Sequence, residues 1–144
     1  MDSINITVSG LDMVQSQLND VISNLMTNLA PALANEADKI LDKSLQEVPI
    51  DTGALQLSNY INLPAISGKS VSVEFGYGGP HVQENPKTRE TTDEYAVIIH
   101  EDMTMNHPNG GKSKYLEDPV KESVDEITEV IQSTVNSLFG NRGL

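Results

Sequence analysis

The chain has 144 residues, with no cysteine and no tryptophan. Without thiols it can form no disulfide and offer no thiolate nucleophile, and zinc sites built on paired cysteines are excluded. Aromatic residues make up only 4% against 38% hydrophobic overall, so a core must rest on Leu, Ile and Val rather than on rings. Positive charge is scarce as well: 9 Lys and Arg face 21 Asp and Glu, a formal net charge of -12. Such a field repels phosphate backbones and anionic membrane surfaces, so neither sequence-specific nucleic-acid binding nor membrane binding is expected. The lysines are also diluted locally, Lys39 and Lys43 by Asp38 and Asp42, Lys112 and Lys114 by Glu117 and Asp118. No apolar run approaches the roughly 20 residues that span a bilayer. The opening MDSINITVSG lacks the basic start and apolar stretch of a signal peptide. The chain is therefore expected to stay in the compartment where it is made, as one domain over residues 1–144. It has no internal repeat and no low-complexity tract.

What is present is periodic. Ile4, Ile6 and Val8 alternate with Asn5, Thr7 and Ser9, which predicts a short strand. From Leu11 the spacing changes to three and four, through Val14, Leu18, Val21, Ile22, Leu25 and Leu29, which predicts a helix capped by Ser9 with Asp12 as its reciprocal partner. After Pro31 the periodicity resumes at Leu33, Ala37, Ile40, Leu41, Leu45 and Val48. A straight helix over this length would reach roughly 55 Å, against a radius of gyration of about 15 Å for a domain of this size. Either Pro31 kinks or breaks it so that both parts cover one core, or the helix projects and meets another subunit.

Pro49 stops this helix, and Gly53 permits a tight turn. Residues 54–63 read as an imperfect strand ended by Pro64, and KSVSVEFGY, residues 69–77, as a cleaner one, with Val71, Val73 and Phe75 on one face. Ile66 to Lys69 makes a hairpin turn between them. Residues 76–94 are polar and rich in Gly and Pro, a long loop of the kind that binds something or orders on assembly. YAVIIH, residues 95–100, reads as another strand, and 101–114 as a second loop. Asp118 and Pro119 open a final helix with a stripe of Val120, Val124, Ile127, Ile131, Val135 and Leu138, ended by Gly140. The expected fold class is α+β: a long kinked N-terminal helix and a C-terminal helix packed on a small antiparallel β-sheet, with long loops.

Candidate chemistry is sparse. Asp51-Thr52-Gly53 matches the triplet of aspartic proteases, but an amphipathic helix end precedes it where a buried strand is needed, and the chain has no second such motif to share a proton, so that only a homodimer could supply the partner Asp. The structural reading is that Asp51 caps a local turn through Gly53. His81, His100 and His107 accompany Glu101 and Asp102, yet their spacing is not that of H-E-x-x-H, and no strained nucleophile turn or phosphate-cradling glycine loop is present. A metal-dependent or acid-base hydrolase using His100, Glu101 and His107 stands as the alternative to a non-enzymatic protein. Tyr115 and Leu116 are placed to staple the loop ahead of the last helix. Met103 and Met105 flank Thr104 where flexible thioethers suit either a partner surface or local packing.

VPIDTGAL at residues 48–55, YAVIIHE at 95–101 and HPNGGKSKYLEDPV at 107–120, in this order after a Gly-Leu and a long helix, resemble the minor capsid and tail-completion proteins of tailed bacteriophages. The likeness covers nearly the whole chain. It implies a structural subunit of the neck, found in the virion and in the host cytoplasm during assembly, that joins the tail to the head as part of a ring. Its partners would be further copies of itself, the head connector or stopper, and the tail terminator or tube. No cofactor, metal or catalytic residue is implied. Pro49, Asp51, Gly53 and Leu55 would fix the turn from helix to sheet. The interface candidates are Tyr95, His100, Glu101, Met103, Met105, His107, Tyr115 and Leu116, with the loops at 76–94 and 101–114 meeting neighbours.

Overall fold

A computed structural model describes residues 3–140 and gives an α+β fold; residues 1, 2 and 141–144 lie outside the described residues. Helix α1 runs unbroken from Leu11 to Glu47, 37 residues, with Pro31 inside it. Proline has no N–H, so the carbonyl one turn earlier, on Thr27, loses its helical donor. The helix is not broken at Pro31, and its N-terminal part projects. Residues 11–20 are all exposed, and the first buried side chain is Met26.

The buried face comprises Met26, Leu29, Ala30, Ala37, Ile40, Leu41 and Ser44, together with Glu36, which is 3% exposed. The Glu36 carboxylate accepts from Lys39 Nζ at 2.9 Å, and the same ammonium reaches Glu126 at 3.3 Å. The expected Ser9–Asp12 cap is absent: Gly10, at φ 85°, is the N-cap and no side chain caps the helix. The expected strand at Ile4, Ile6 and Val8 is absent too, these side chains being 89%, 87% and 70% exposed with no strand beside them. Alternation alone makes no strand without a ladder partner.

Past the turn at 48–53, residues expected as one strand divide into helix α2, Ala54–Leu57, and strand β1, Asn59–Ile61. Strands β2, Ala65–Ser67, and β3, Ser70–Ser72, form a hairpin with Ser67 opposite Ser70; the chain turns within the expected 66–69, but the first strand lies past Pro64 and not over 54–63. The expected strand 69–77 is split, because β3 pairs with β2 while β4, Phe75–Tyr77, pairs with β1. There are thus two antiparallel two-stranded ladders in place of one sheet. The alternation nevertheless holds, with Val71, Val73 and Phe75 partly buried and Ser70, Ser72 and Glu74 exposed.

The loop expected over 76–94 is organised by a 3-10 turn at Gly79–His81 and an isolated bridge between Glu84 and Thr91. YAVIIH is not a strand but lies in helix α3, Thr92–Glu101. The Glu94 carboxylate accepts from the Thr91 backbone N–H at 2.6 Å and from its hydroxyl at 3.1 Å, which starts the helix. The final helix begins at Glu117, with Leu116 rather than Asp118 as N-cap, and is divided at Ser123 into α4, Glu117–Glu122, and α5, Val124–Phe139. The buried Ser123 hydroxyl donates to the Pro119 carbonyl at 2.8 Å, a back-bond that competes with the helical ladder. The break rotates Val124 out of the expected stripe, leaving it 52% exposed.

Helix α5 runs antiparallel to α1, since Ser123 lies opposite Lys43 and Glu126 opposite Lys39. At equal rise, its end at Phe139 falls level with about Met26, the first fully buried residue of α1, and the β2–β3 hairpin lies against the half-buried Ile22 beside it. Among the described residues no helix is long and apolar enough to cross a membrane.

Candidate functional site

Three chain segments meet at the C-terminal end of α1. Val48 closes that helix, its N–H donating to the Ser44 carbonyl at 2.8 Å, and Gly53 turns the chain at φ 84°, where a Cβ is disfavoured. The Asp51 side chain does not cap this turn. It pairs with Lys87 Nζ at 2.6 Å in solvent, while the Thr52 hydroxyl accepts from the Ala54 N–H at 3.4 Å. An exposed carboxylate held by an ammonium is far from the buried, proton-sharing pair of an aspartic protease.

The stretch from Gly111 to Lys114 threads between the ends of α1 and α3. The Lys112 N–H donates to the Glu47 carbonyl and the Lys114 N–H to the His100 carbonyl, both at 2.8 Å. These are carbonyls that helix ends leave without intrahelical partners, and the two lysines also place positive charge where the helix dipoles favour it. The passage is tight: a Cβ on Gly111 would lie 2.5 Å from Pro49 Cα, and its φ is 88°. Only glycine fits both the space and the conformation.

Between these segments lies the core. Val48, Leu55, Ala96 and Tyr115 form one buried cluster, with Tyr77, Tyr95, Ile99 and Leu116 packed against it. Tyr115, expected at an interface, is only 2% exposed and belongs to this core. Its hydroxyl donates to the Ala96 carbonyl at 2.8 Å, and its ring meets Tyr77 and His100 edge-on at 5.2 and 5.0 Å. Burial pushes the Tyr77 phenol up to about 12, although a hydrogen bond with Ser44 at 2.8 Å opposes the shift.

His100 is fully engaged. Its Nε2 accepts from the Glu117 N–H at 3.1 Å, so its Nδ1 carries the proton and donates to Glu101 at 2.8 Å. His100, Glu101 and Glu117 come close enough to surround a cation. That role is already filled by Lys114, whose ammonium contacts Glu101 and lies 2.9 Å from Glu117. Lys121 first and Lys114 second hold Glu117 down to about 2, and Lys114 then His100 lower Glu101. The same carboxylates, Glu101 ahead of Glu117, raise Lys114. The sequence showed Lys114 and Glu117 only as neighbouring charges of opposite sign; Lys114–Glu117 and Glu117–Lys121 are local pairs, while the link from Lys114 to Glu101 is made by the fold.

On the opposite side of α3, a cavity of about 580 Å³ opens between the 48–55 turn, the helix and the loop at 105–109. Pro49, Asp51, Gly53, Leu55, Tyr95, Met105 and His107 all line it, as do Ile98 and Ile99, which sequence reading missed by treating 95–100 as a strand. His107 Nε2 is buried there without a hydrogen-bond partner. His100 and Glu101 instead border a separate, shallower depression with Tyr115 and Leu116. The fold therefore divides the histidine and acid set proposed from the sequence. His81 is elsewhere again, its Nδ1 2.7 Å from the Asn59 carbonyl. Met103 stands clear of the cavity and is 74% exposed.

Comparisons with protein-family models, with curated proteins and with solved structures find no match to this chain.

Proposed function

We propose that this chain is a non-enzymatic structural subunit of a tailed-bacteriophage neck, which completes the tail and joins it to the head connector as part of a ring. The observation that carries the reading is how the three motifs of the resemblance are used. VPIDTGAL contributes Val48 and Leu55, YAVIIHE contributes Ala96, and HPNGGKSKYLEDPV contributes Tyr115 to one buried cluster. Their polar groups bind helix ends and one another: Lys112 and Lys114 hold the Glu47 and His100 carbonyls, and both ring nitrogens of His100 are occupied. Residues used this way fix a shape and leave little free for reaction.

An acidic surface also suits a neck subunit past which DNA must slide without adhering. The cavity beside α3 and the exposed loop at 102–109 are the surfaces offered to neighbouring neck proteins. The test is to disrupt the gene in the phage or prophage that carries it and to image the lysate. Filled heads separated from finished tails are expected, with joining restored by the gene in trans. Joined particles at the normal titre would overturn the proposal.

A further inference from the structure

The start of α1 has an apolar pattern that its own fold covers only in part, Val21 and Leu25 being half-buried and the turns before them exposed. Leu11, Val14, Leu18, Val21 and Leu25 recur at intervals of three, four, three and four, the spacing of a coiled-coil seam. At 3.6 residues per turn Leu29 lies five full turns beyond Leu11, so the row meets the buried face at Leu29, while Met26, Ala37 and Ser44 lie about a third of a turn to one side. The row is thus the uncovered N-terminal continuation of the helix's apolar side, displaced from most of the core-facing residues. Leu11, Val14 and Leu18 are 63%, 51% and 57% exposed, and α5 ends before reaching them.

We infer that this face is a self-association seam, and that its occupant is the same face of a second copy of the chain. Charge distribution selects that occupant. The molecule carries a net -12, so two copies repel each other over most of their surfaces. Between Ser3 and Asn35, however, the only charged residues are Asp12 and Asp20, and both lie off the row. The positions flanking it are Gln15, Gln17, Ile22 and Asn24, all uncharged where a pair selective for a different partner would carry charge. The stretch has no cation for a phosphate or an acidic protein, and beside the seam no anion for a basic one. Two identical faces of this kind meet without like-charge cost. The contact pairs two copies about a two-fold axis; it is separate from the head-to-tail contact that closes the ring proposed above, and rests on that reading only for its biological setting.

The absence of cysteine makes the test direct. Leu18→Cys introduces the sole thiol, so any disulfide formed by the full-length chain joins two copies. Mild oxidation is expected to yield a covalent dimer from Leu18→Cys and little or none from Ser16→Cys, on the far side of the same helix. In sedimentation velocity, Val14→Asp combined with Leu18→Asp should weaken self-association by about tenfold or more. Circular dichroism should not change, since both side chains are more than half exposed, and any fall in Tm should be confined to concentrations at which the parent associates. Equal cross-linking at positions 16 and 18, no cross-linking at either, or undiminished association of the Asp variant would each overturn the inference. A seam found in the purified chain whose gene proves dispensable for head–tail joining would reject the neck reading alone.

Discussion

Gly111 is the residue on which the candidate site depends most closely. Its positive φ and its 2.5 Å clearance from Pro49 at the Cβ position mean that Gly111→Ala must both strain the backbone and push two chain segments apart. The expected loss is about 2–4 kcal/mol, measured as a lower urea midpoint at unchanged m-value. A variant as stable as the parent would show that the loop relaxes freely and does not clamp α1 to α3. The acidic residues around Lys114 make a different prediction. Glu117 has its pKa depressed from 4.5 to about 2 in the folded state, so its interaction stabilises the protein above pH 4.5 and is lost as pH falls toward about 2. Glu117→Gln should lower Tm at neutral pH, and the variant and parent curves should converge in acid; parallel curves down to pH 2 would sink this assignment. At this scale the sequence was a poor guide to partners. It marked Asp51 and His100 as chemically notable, but Lys87 is 36 residues from the first and the Glu117 amide 17 from the second, distances only the fold closes.

Among the elements, long periodic segments were legible and short ones were not. The three-and-four spacing located α1 and most of α5, and Gly68 with Lys69 located the β2–β3 hairpin. YAVIIH was misread because a six-residue apolar run fits a strand or a buried helix equally well. The deciding signal lay upstream, where Thr91 and Glu94 have the spacing of a capping box and Asp93 and Glu94 occupy the first turn. That box predicts that Glu94→Ala costs about 1 kcal/mol, read as a Tm decrease with faster amide exchange confined at first to residues 92–96. Unchanged exchange there would mean that packing of Ala96 and Ile99 alone holds the helix. The strand expected at Ile4 to Val8 and the single sheet expected over 54–77 failed for another reason. A strand is completed by its ladder partner, and residue pattern does not specify which partner is in reach. The division at Ser123 was equally hidden, being set by one buried hydroxyl bonded to Pro119.

The whole molecule combines a well-knit end, where the motifs meet, with an exposed helical arm, and its net charge governs how copies approach. If association is made through the neutral apolar face of α1, it must work against repulsion between bodies that each carry -12. Salt shortens the range of that repulsion, from about 30 Å at 0.01 M to about 8 Å at 0.15 M, while leaving apolar contact almost untouched. Self-association should therefore strengthen on going from low to physiological salt and then level off. An interface built from ion pairs would do the reverse, because screening weakens the attraction it relies on. Sedimentation velocity on the intact chain across that range distinguishes the two. Dissociation on adding salt would place the contact at charged groups off the arm, of which Lys69 in the β2–β3 turn is the most available, since Lys87 and Arg89 are already paired within their own chain.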